Sequence, residues 1–194
     1  MTEAKLNKVK NLVNEKVKGI SDPQHGFIHL QRVANFAQKI VKTLKVENKI
    51  DVNLLSAACY LHDINHTFYS PGLLNHFLER ARLKKVLPKV LTEMDIDVGE
   101  KAILENAIYS SPFSFPFKML NRNGDLYTKI LQDADTLDFF SRQREVSFNK
   151  AKKNIVFYAF LGLFSDPALA YGRKNIANYL NFPQLAKEPY VQKS

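Results

Sequence analysis

Leu54-Leu55-Ser56-Ala57-Ala58-Cys59-Tyr60-Leu61-His62-Asp63 is an apolar run that closes on an imidazole and a carboxylate. The run is apolar nearly all round, as expected of a buried helix rather than an amphipathic surface one. Asp51 stands where an N-cap belongs, so the spacing predicts a helix from there to His62. A histidine and an aspartate at the end of such a helix need partners once removed from water. Both are also ligands for divalent cations. Two more segments share this character. One is Asp22-Pro23-Gln24-His25-Gly26-Phe27-Ile28-His29-Leu30-Gln31-Arg32-Val33 upstream, and the other is Leu131-Gln132-Asp133-Ala134-Asp135-Thr136-Leu137-Asp138 downstream. Three His/Asp clusters, each beside apolar periodic sequence, point to one metal site assembled from distant helices.

Around these segments the apolar spacing is helical nearly throughout. Leu6, Val9, Val13 and Val17 define a first amphipathic helix, ended by Gly19 and Ser21-Asp22-Pro23. Val33, Phe36, Ala37, Ile40, Val41 and Leu44 line one face of a second. Residues 63–72 read as a loop, and a fourth helix carries Leu73, Leu74, Phe77, Leu78 and Ala81, with Pro88 opening another short turn. Asp97 and Glu100 form a capping-box start for a helix through Ile108. Two prolines exclude regular helix from Ser111-Pro112-Phe113-Ser114-Phe115-Pro116-Phe117, leaving a packed loop or a pocket wall. Further helices are expected over Leu126 to Leu131, Leu137 to Phe148, Ile155 to Phe164 and Ala168 to Leu180, then an extended tail from Pro183. With no convincing alternating strand, the class is all-α, a compact bundle forming a single domain over 1–194.

Composition narrows the function. Of 194 residues 45% are hydrophobic, while Gly and Pro number 7 and 8, which suits a packed core and excludes a disordered or fibrous chain. The longest apolar candidate, Ile155 to Phe164, is half the length of a membrane span. The opening Met1-Thr2-Glu3-Ala4-Lys5 has no apolar signal core, and the single Cys59 excludes a disulfide framework, so a cytoplasmic location is expected. The net charge of +9 attracts anionic ligands, nucleotides included. Its lysines are scattered as on solvated helix faces, without the interleaved aromatics of a nucleic-acid binder.

His25, His29 and Arg32 stand four and three residues apart, a spacing that shares one face if all lie on a helix. An arginine beside a metal suits a phosphate, whose oxygens the two divide. Asp133 follows Ile130-Leu131 and is expected to be buried and to need a cation. Asp135 and Asp138 read as a helix-terminal charge and a salt-bridge partner.

His29-Leu-Gln-Arg32-Val33, Ala-Ala-Cys-Tyr-Leu-His62-Asp63-Ile64 and Leu-Gln-Asp133-Ala-Asp135-Thr-Leu-Asp138 together resemble the HD-domain metal-dependent phosphohydrolases, in their small single-domain bacterial form. The resemblance runs over roughly residues 20 to 180. It implies a metal held by His29, His62, Asp63 and Asp133. The residues beside them make Asp63, Arg32 and His66 the expected catalytic groups, with Arg32 for phosphate and His66 and His25 for proton transfer or support. It implies one divalent cation (Mn²⁺, Fe²⁺, Mg²⁺, Ni²⁺ or Zn²⁺) and a phosphorylated small-molecule substrate, nucleotide phosphomonoesters among the candidates. Three departures stand out. Ile108-Tyr109-Ser110-Ser111-Pro112-Phe113-Ser114 lacks the histidine found there in many members, which favours one metal over two. Asn65-His66-Thr67 replaces an acidic residue and a lysine, and Thr136 replaces an arginine.

Two other readings compete. His62-Asp63-Ile64-Asn65-His66 resembles the two-histidine pattern of zinc peptidases, which requires continuous helix through His66. The fold could also keep its metal as a structural element in a sensor or interaction protein, with the phenylalanines of 113–117 sealing the site.

Overall fold

The computed structural model describes residues 1–20, 24–69, 73–111, 120 and 124–192. The described elements are helical, with no strand among them. Helices α1 (Glu3–Val17), α2 (Phe27–Leu44) and α3 (Val52–Leu61) precede a 3₁₀ turn, Ile64–Thr67. Then come α4 (Leu73–Thr92), α5 (Val98–Tyr109), α6 (Leu126–Phe139), α7 (Arg142–Asn154) and α8 (Val156–Lys174). The chain finishes with 3₁₀ turns Ile176–Tyr179 and Pro183–Lys187 and a single helical turn, α9 (Pro189–Gln192).

The helix starts are written in short polar side chains. Asp51 accepts the Leu54 amide at 2.9 Å to open α3, and Asp125 accepts that of Thr128 at 2.7 Å to open α6. At α5 the capping box forms as the spacing predicts, with Asp97 accepting from Glu100 N–H and the Glu100 carboxylate accepting from Asp97 N–H. Helix α2 ends on Lys45, whose φ of 54° and ψ of 49° place it in the left-handed region. Its amide turns back to the carbonyls of Val41 and Lys42.

Helix α2 lies along both α3 and α6, and these three form the centre of the molecule. Leu30 on α2, Leu55 and Leu61 on α3, and Leu131 on α6 are at most 1% exposed. Each such burial contributes about 1.5–3 kcal/mol, enough to fix the relative positions of the three helices. Helix α1 covers α3 with its predicted face, burying Leu6, Val9, Val13 and Val17. A smaller cluster of Phe140, Leu169 and Tyr179 joins the end of α6 to α8 and the turn after it.

Several boundaries differ from those the spacing predicts. One helix, α6, covers Leu126 to Phe139, because nothing between Leu131 and Leu137 breaks a helix. The break comes at Phe140-Ser141, where Ser141 accepts the Arg144 amide and opens α7. Pro88 and Pro167 lie inside α4 and α8 rather than between helices. At such sites one backbone bond is lost while the packing of the rest carries the helix onward. The tail is not extended: Leu180 and Leu185 are buried in the main core. His25 precedes Gly26, the N-cap of α2, so His25 and His29 do not share a helix face. The phenylalanines at 113, 115 and 117 and the side chain of His76 lie outside the described residues.

Candidate metal centre

The packing of α2, α3 and α6 brings together one histidine from the first, the His-Asp pair from the end of the second, and aspartates from the third. His29 sits in the first turn of α2, 1% exposed. Its Nδ1 donates to Asp138 Oδ2 on α6 at 2.7 Å. His62 is the C-cap of α3, and its Nδ1 lies 2.8 Å from the Cys59 carbonyl. A carbonyl can only accept, so His62 carries its proton on Nδ1. Both rings are therefore clamped from behind with Nε2 turned inward.

Those two Nε2 atoms are buried and lack a hydrogen-bond partner. His29 Nε2 stands 3.2 Å from Asp63 Oδ2 and 3.6 Å from Asp135 Oδ1. His62 Nε2 stands 3.4 Å from Asp63 Oδ1 and 3.6 Å from the same Asp135 oxygen. An ion with ~2.1 Å bonds spaces its tetrahedral or octahedral ligands by ~3.0–3.4 Å. The orphaned nitrogens and the nearby carboxylates thus fit a divalent cation, in donor type and in spacing. His29, His62 and Asp135 form a ligand group on their own, with all donor atoms within 4.8 Å of one another. Exposure rises from 1% at the His29 side chain to 22% at that of Asp135, so the centre opens towards Asp135.

Asp133, the ligand expected from sequence, is not in this group. It is fully buried, but its oxygens accept from Asn181 N–H at 2.7 Å, Asn181 Nδ2 at 2.9 Å and Phe182 N–H at 3.0 Å. Two positions along a helix turn a side chain by about 200°, so Asp133 and Asp135 point to opposite sides of α6. Burial pushes the Asp133 carboxyl up to about 6, against the pull of those three bonds. It anchors the end of the chain, while Asp135 takes the place beside the histidines.

Arg32 and Asp138 form the support behind His29. Arg32 donates from Nε to Asp138 Oδ1 at 2.5 Å and from Nη2 to Oδ2 at 3.1 Å. Arg144 approaches the same carboxylate at 3.7 Å and donates to the Gln24 carbonyl. Although burial opposes its ionisation, the bond from His29 and the two guanidinium groups hold the Asp138 carboxyl far below the usual range. Arg32, expected to grip phosphate, is committed to Asp138 through two of its nitrogens.

Charge dominates the rest of the site. Burial lowers the pKa of His62, but Asp63 and Asp135 overcome it and raise it to about 10. A cation binding at Nε2 therefore displaces a proton. Glu79 on α4 was not singled out by sequence, since Leu78-Glu79-Arg80 reads as an ordinary solvated helix. Burial and the charges of Asp63 and Asp135 push its carboxyl up to about 8. Two further histidines, His25 and His66, stand near Asp63 as well. His66, in the 3₁₀ turn, stacks on His25 with ring centroids 3.7 Å apart and planes 7° from parallel.

Helix α3 stops at Leu61, and the turn after it is 3₁₀, so no continuous helix joins His62 to His66. The two histidines also belong to different ligand groups, which removes the basis of a peptidase-like site. Among the described residues, no helix is long and apolar enough to cross a membrane. No curated protein and no solved structure matches the chain. A family model does, that of the HD domain, over residues 26–139. That span covers more than half of the chain, begins just before His29 and ends just after Asp138, and so contains His29, His62, Asp63 and Asp135: the protein belongs to the HD domain family.

Proposed function

We propose that the protein hydrolyses a phosphate ester of a small molecule, nucleotide phosphomonoesters among the candidates. The reaction centre is a divalent cation held by His29, His62, Asp63 and Asp135, in one domain spanning the chain. The observation that carries this reading is the convergence of two buried, partnerless Nε2 atoms on two carboxylates, of which Asp135 keeps 22% of its side chain exposed. When bound, the cation lowers the pKa of coordinated water from ~15.7 towards ~7 and offsets charge on a phosphoryl group.

The chain's own groups do the positioning. Asp138 fixes the tautomer and tilt of His29, and Arg32 holds Asp138 from the outer side. Arg32 is thus a positioning residue, and its guanidinium reaches the reaction through Asp138 and His29. The Cys59 carbonyl does the same for His62. Glu79, kept near neutrality by its neighbours, is a proton donor or acceptor at the rim of the site.

The test is a panel of phosphomonoesters, nucleotides and cyclic nucleotides with the Mn²⁺-loaded protein, beside His62→Ala and Asp63→Ala. Turnover of at least one ester is expected, with a loss of 10²-fold or more in both variants and loss of their metal. Full metal content in the variants, or a metal-loaded protein inert to every ester, would overturn the proposal. The second outcome would favour a metal-holding sensor or interaction protein.

A further inference from the structure

We infer that Arg144, on the helix that follows the HD span, is a positioning residue that fixes His29 through both its ring and its backbone. This deepens the proposed function and rests on it only for the use to which the held ring is put.

Arg144 stands in the first turn of α7, beyond the matched span, which ends at residue 139. Local bonds fold it back towards α6. Ser141 N–H donates to the Asp138 carbonyl at 2.9 Å, and Ser141 Oγ accepts the Arg144 amide at 3.2 Å. This tight turn returns the Arg144 side chain to the last turn of α6. There Nη1 lies 3.7 Å from Asp138 Oδ2, the oxygen that accepts from His29 Nδ1. The same Nη1 donates to the Gln24 carbonyl, in the segment that leads into α2.

Two constraints on His29 therefore meet at one nitrogen. Its ring is held through Asp138. Its backbone is held through the approach to α2, where Gly26 is the N-cap and the Gly26 carbonyl accepts the His29 amide at 3.0 Å. Arg32 does not duplicate this arrangement. It stands one turn past His29 on the same helix, so it ties Asp138 to α2 but not to α7 or to Gln24.

Stability alone does not explain a guanidinium in this place. Arg144 is 8% exposed, and its Nε has no hydrogen-bond partner among the described residues. A buried cation so incompletely matched carries a desolvation cost that an apolar side chain of similar length avoids. Asp138 already receives two bonds from Arg32. At 3.7 Å Arg144 adds charge rather than another bond, and charge acts strongly where water is excluded. It fixes where the carboxylate sits, and with it the tilt of the imidazole bonded to that carboxylate. Groups behind a metal-binding histidine set its orientation in this way.

The test reads His29 directly, in the full chain and without substrate. In metal-free, isotope-labelled wild type, nuclear magnetic resonance should show the His29 Nδ1–H as a downfield, slowly exchanging proton that disappears in His29→Gln. Arg144→Met should speed its exchange at least tenfold. Arg144→Lys keeps the charge and should restore part of the protection. Mn²⁺ isotherms from equilibrium dialysis should show about threefold to tenfold weaker binding in Arg144→Met, below the ~10–100-fold of a group bonded to the ligand itself. Combined with Asp138→Asn, the loss should be smaller than the product of the two single losses. Should Arg144→Met not fold, Arg144→Gln and Arg144→Lys carry the same measurements. Unchanged exchange and affinity in a folded variant, even one less stable in urea, mark a structural arginine and overturn the inference. Strictly multiplicative losses in the double variant overturn it too. A wild type that binds no Mn²⁺, while His29 loses its protection in Arg144→Met, supports the positioning role and sinks the hydrolase reading alone.

Discussion

Three aspartates of α6 have three different jobs, and substitutions should separate them. If Asp135 is a ligand, Asp135→Asn should lower metal content at least tenfold, because its Oδ1 lies 3.6 Å from both histidine Nε2 atoms. Asp133→Asn should keep its metal and lose about 1–3 kcal/mol of stability, since only the bonds to Asn181 and Phe182 suffer. Elemental analysis with urea unfolding checks both, and the reverse pattern would restore Asp133 as the ligand. Asp138→Asn should weaken metal binding about 10–100-fold by loosening His29, without removing a ligand. A metal-binding isotherm measures that shift. The sequence pointed clearly to His29, His62 and Asp63, because each is a polar residue placed beside an apolar run. Among Asp133, Asp135 and Asp138 it pointed to Asp133, whereas the structure sets Asp135 beside the histidines. All three are flanked by the same apolar residues, and the choice depends on which side of α6 meets α2 rather than the chain's end. Glu79 was illegible for a related reason: a lone glutamate among arginines and lysines gives no sign of burial.

At the level of helices, the capping residues make the most direct prediction. Asp51 opens α3, whose far end carries His62 and Asp63. Asp51→Ala should cost about 1 kcal/mol in chemical denaturation. Burial opposes ionisation of Asp51, but the Met1 ammonium group and the Leu54 amide outweigh it and hold its carboxyl below the usual range. A depressed carboxyl stabilises the fold fully above its unfolded pKa of ~3.9 and loses that contribution as pH falls through its folded value. Wild type and Asp51→Asn should therefore differ most above pH ~4 and converge in stronger acid. Equal differences at every pH would show that the carboxylate charge does not matter. These caps were legible in sequence because each is local, a matter of a side chain and the amide three residues on. Pro88, Pro167 and the continuity of α6 were not, because tertiary packing decides whether a helix survives a weak point.

Over the whole molecule, the proposed metal centre would tie α2, α3 and α6 together, since its candidate ligands come from all three. A ligand that binds only the folded chain adds about 2.7 kcal/mol at a concentration of 100 Kd. Chelation should accordingly lower the melting temperature of the wild type and leave that of His62→Ala nearly unchanged. The same connection can be watched at room temperature. Cys59 is the only cysteine, it is fully buried, and burial pushes its thiol far above the usual range. Its carbonyl is also the group that steadies His62. A thiol reagent can reach Cys59 only when α3 comes away from its neighbours. The labelling rate of this one sulfur thus acts as a built-in clock for the breathing of the bundle. Metal should slow that clock in the wild type and leave it unaltered in His62→Ala, without any probe being attached to the site.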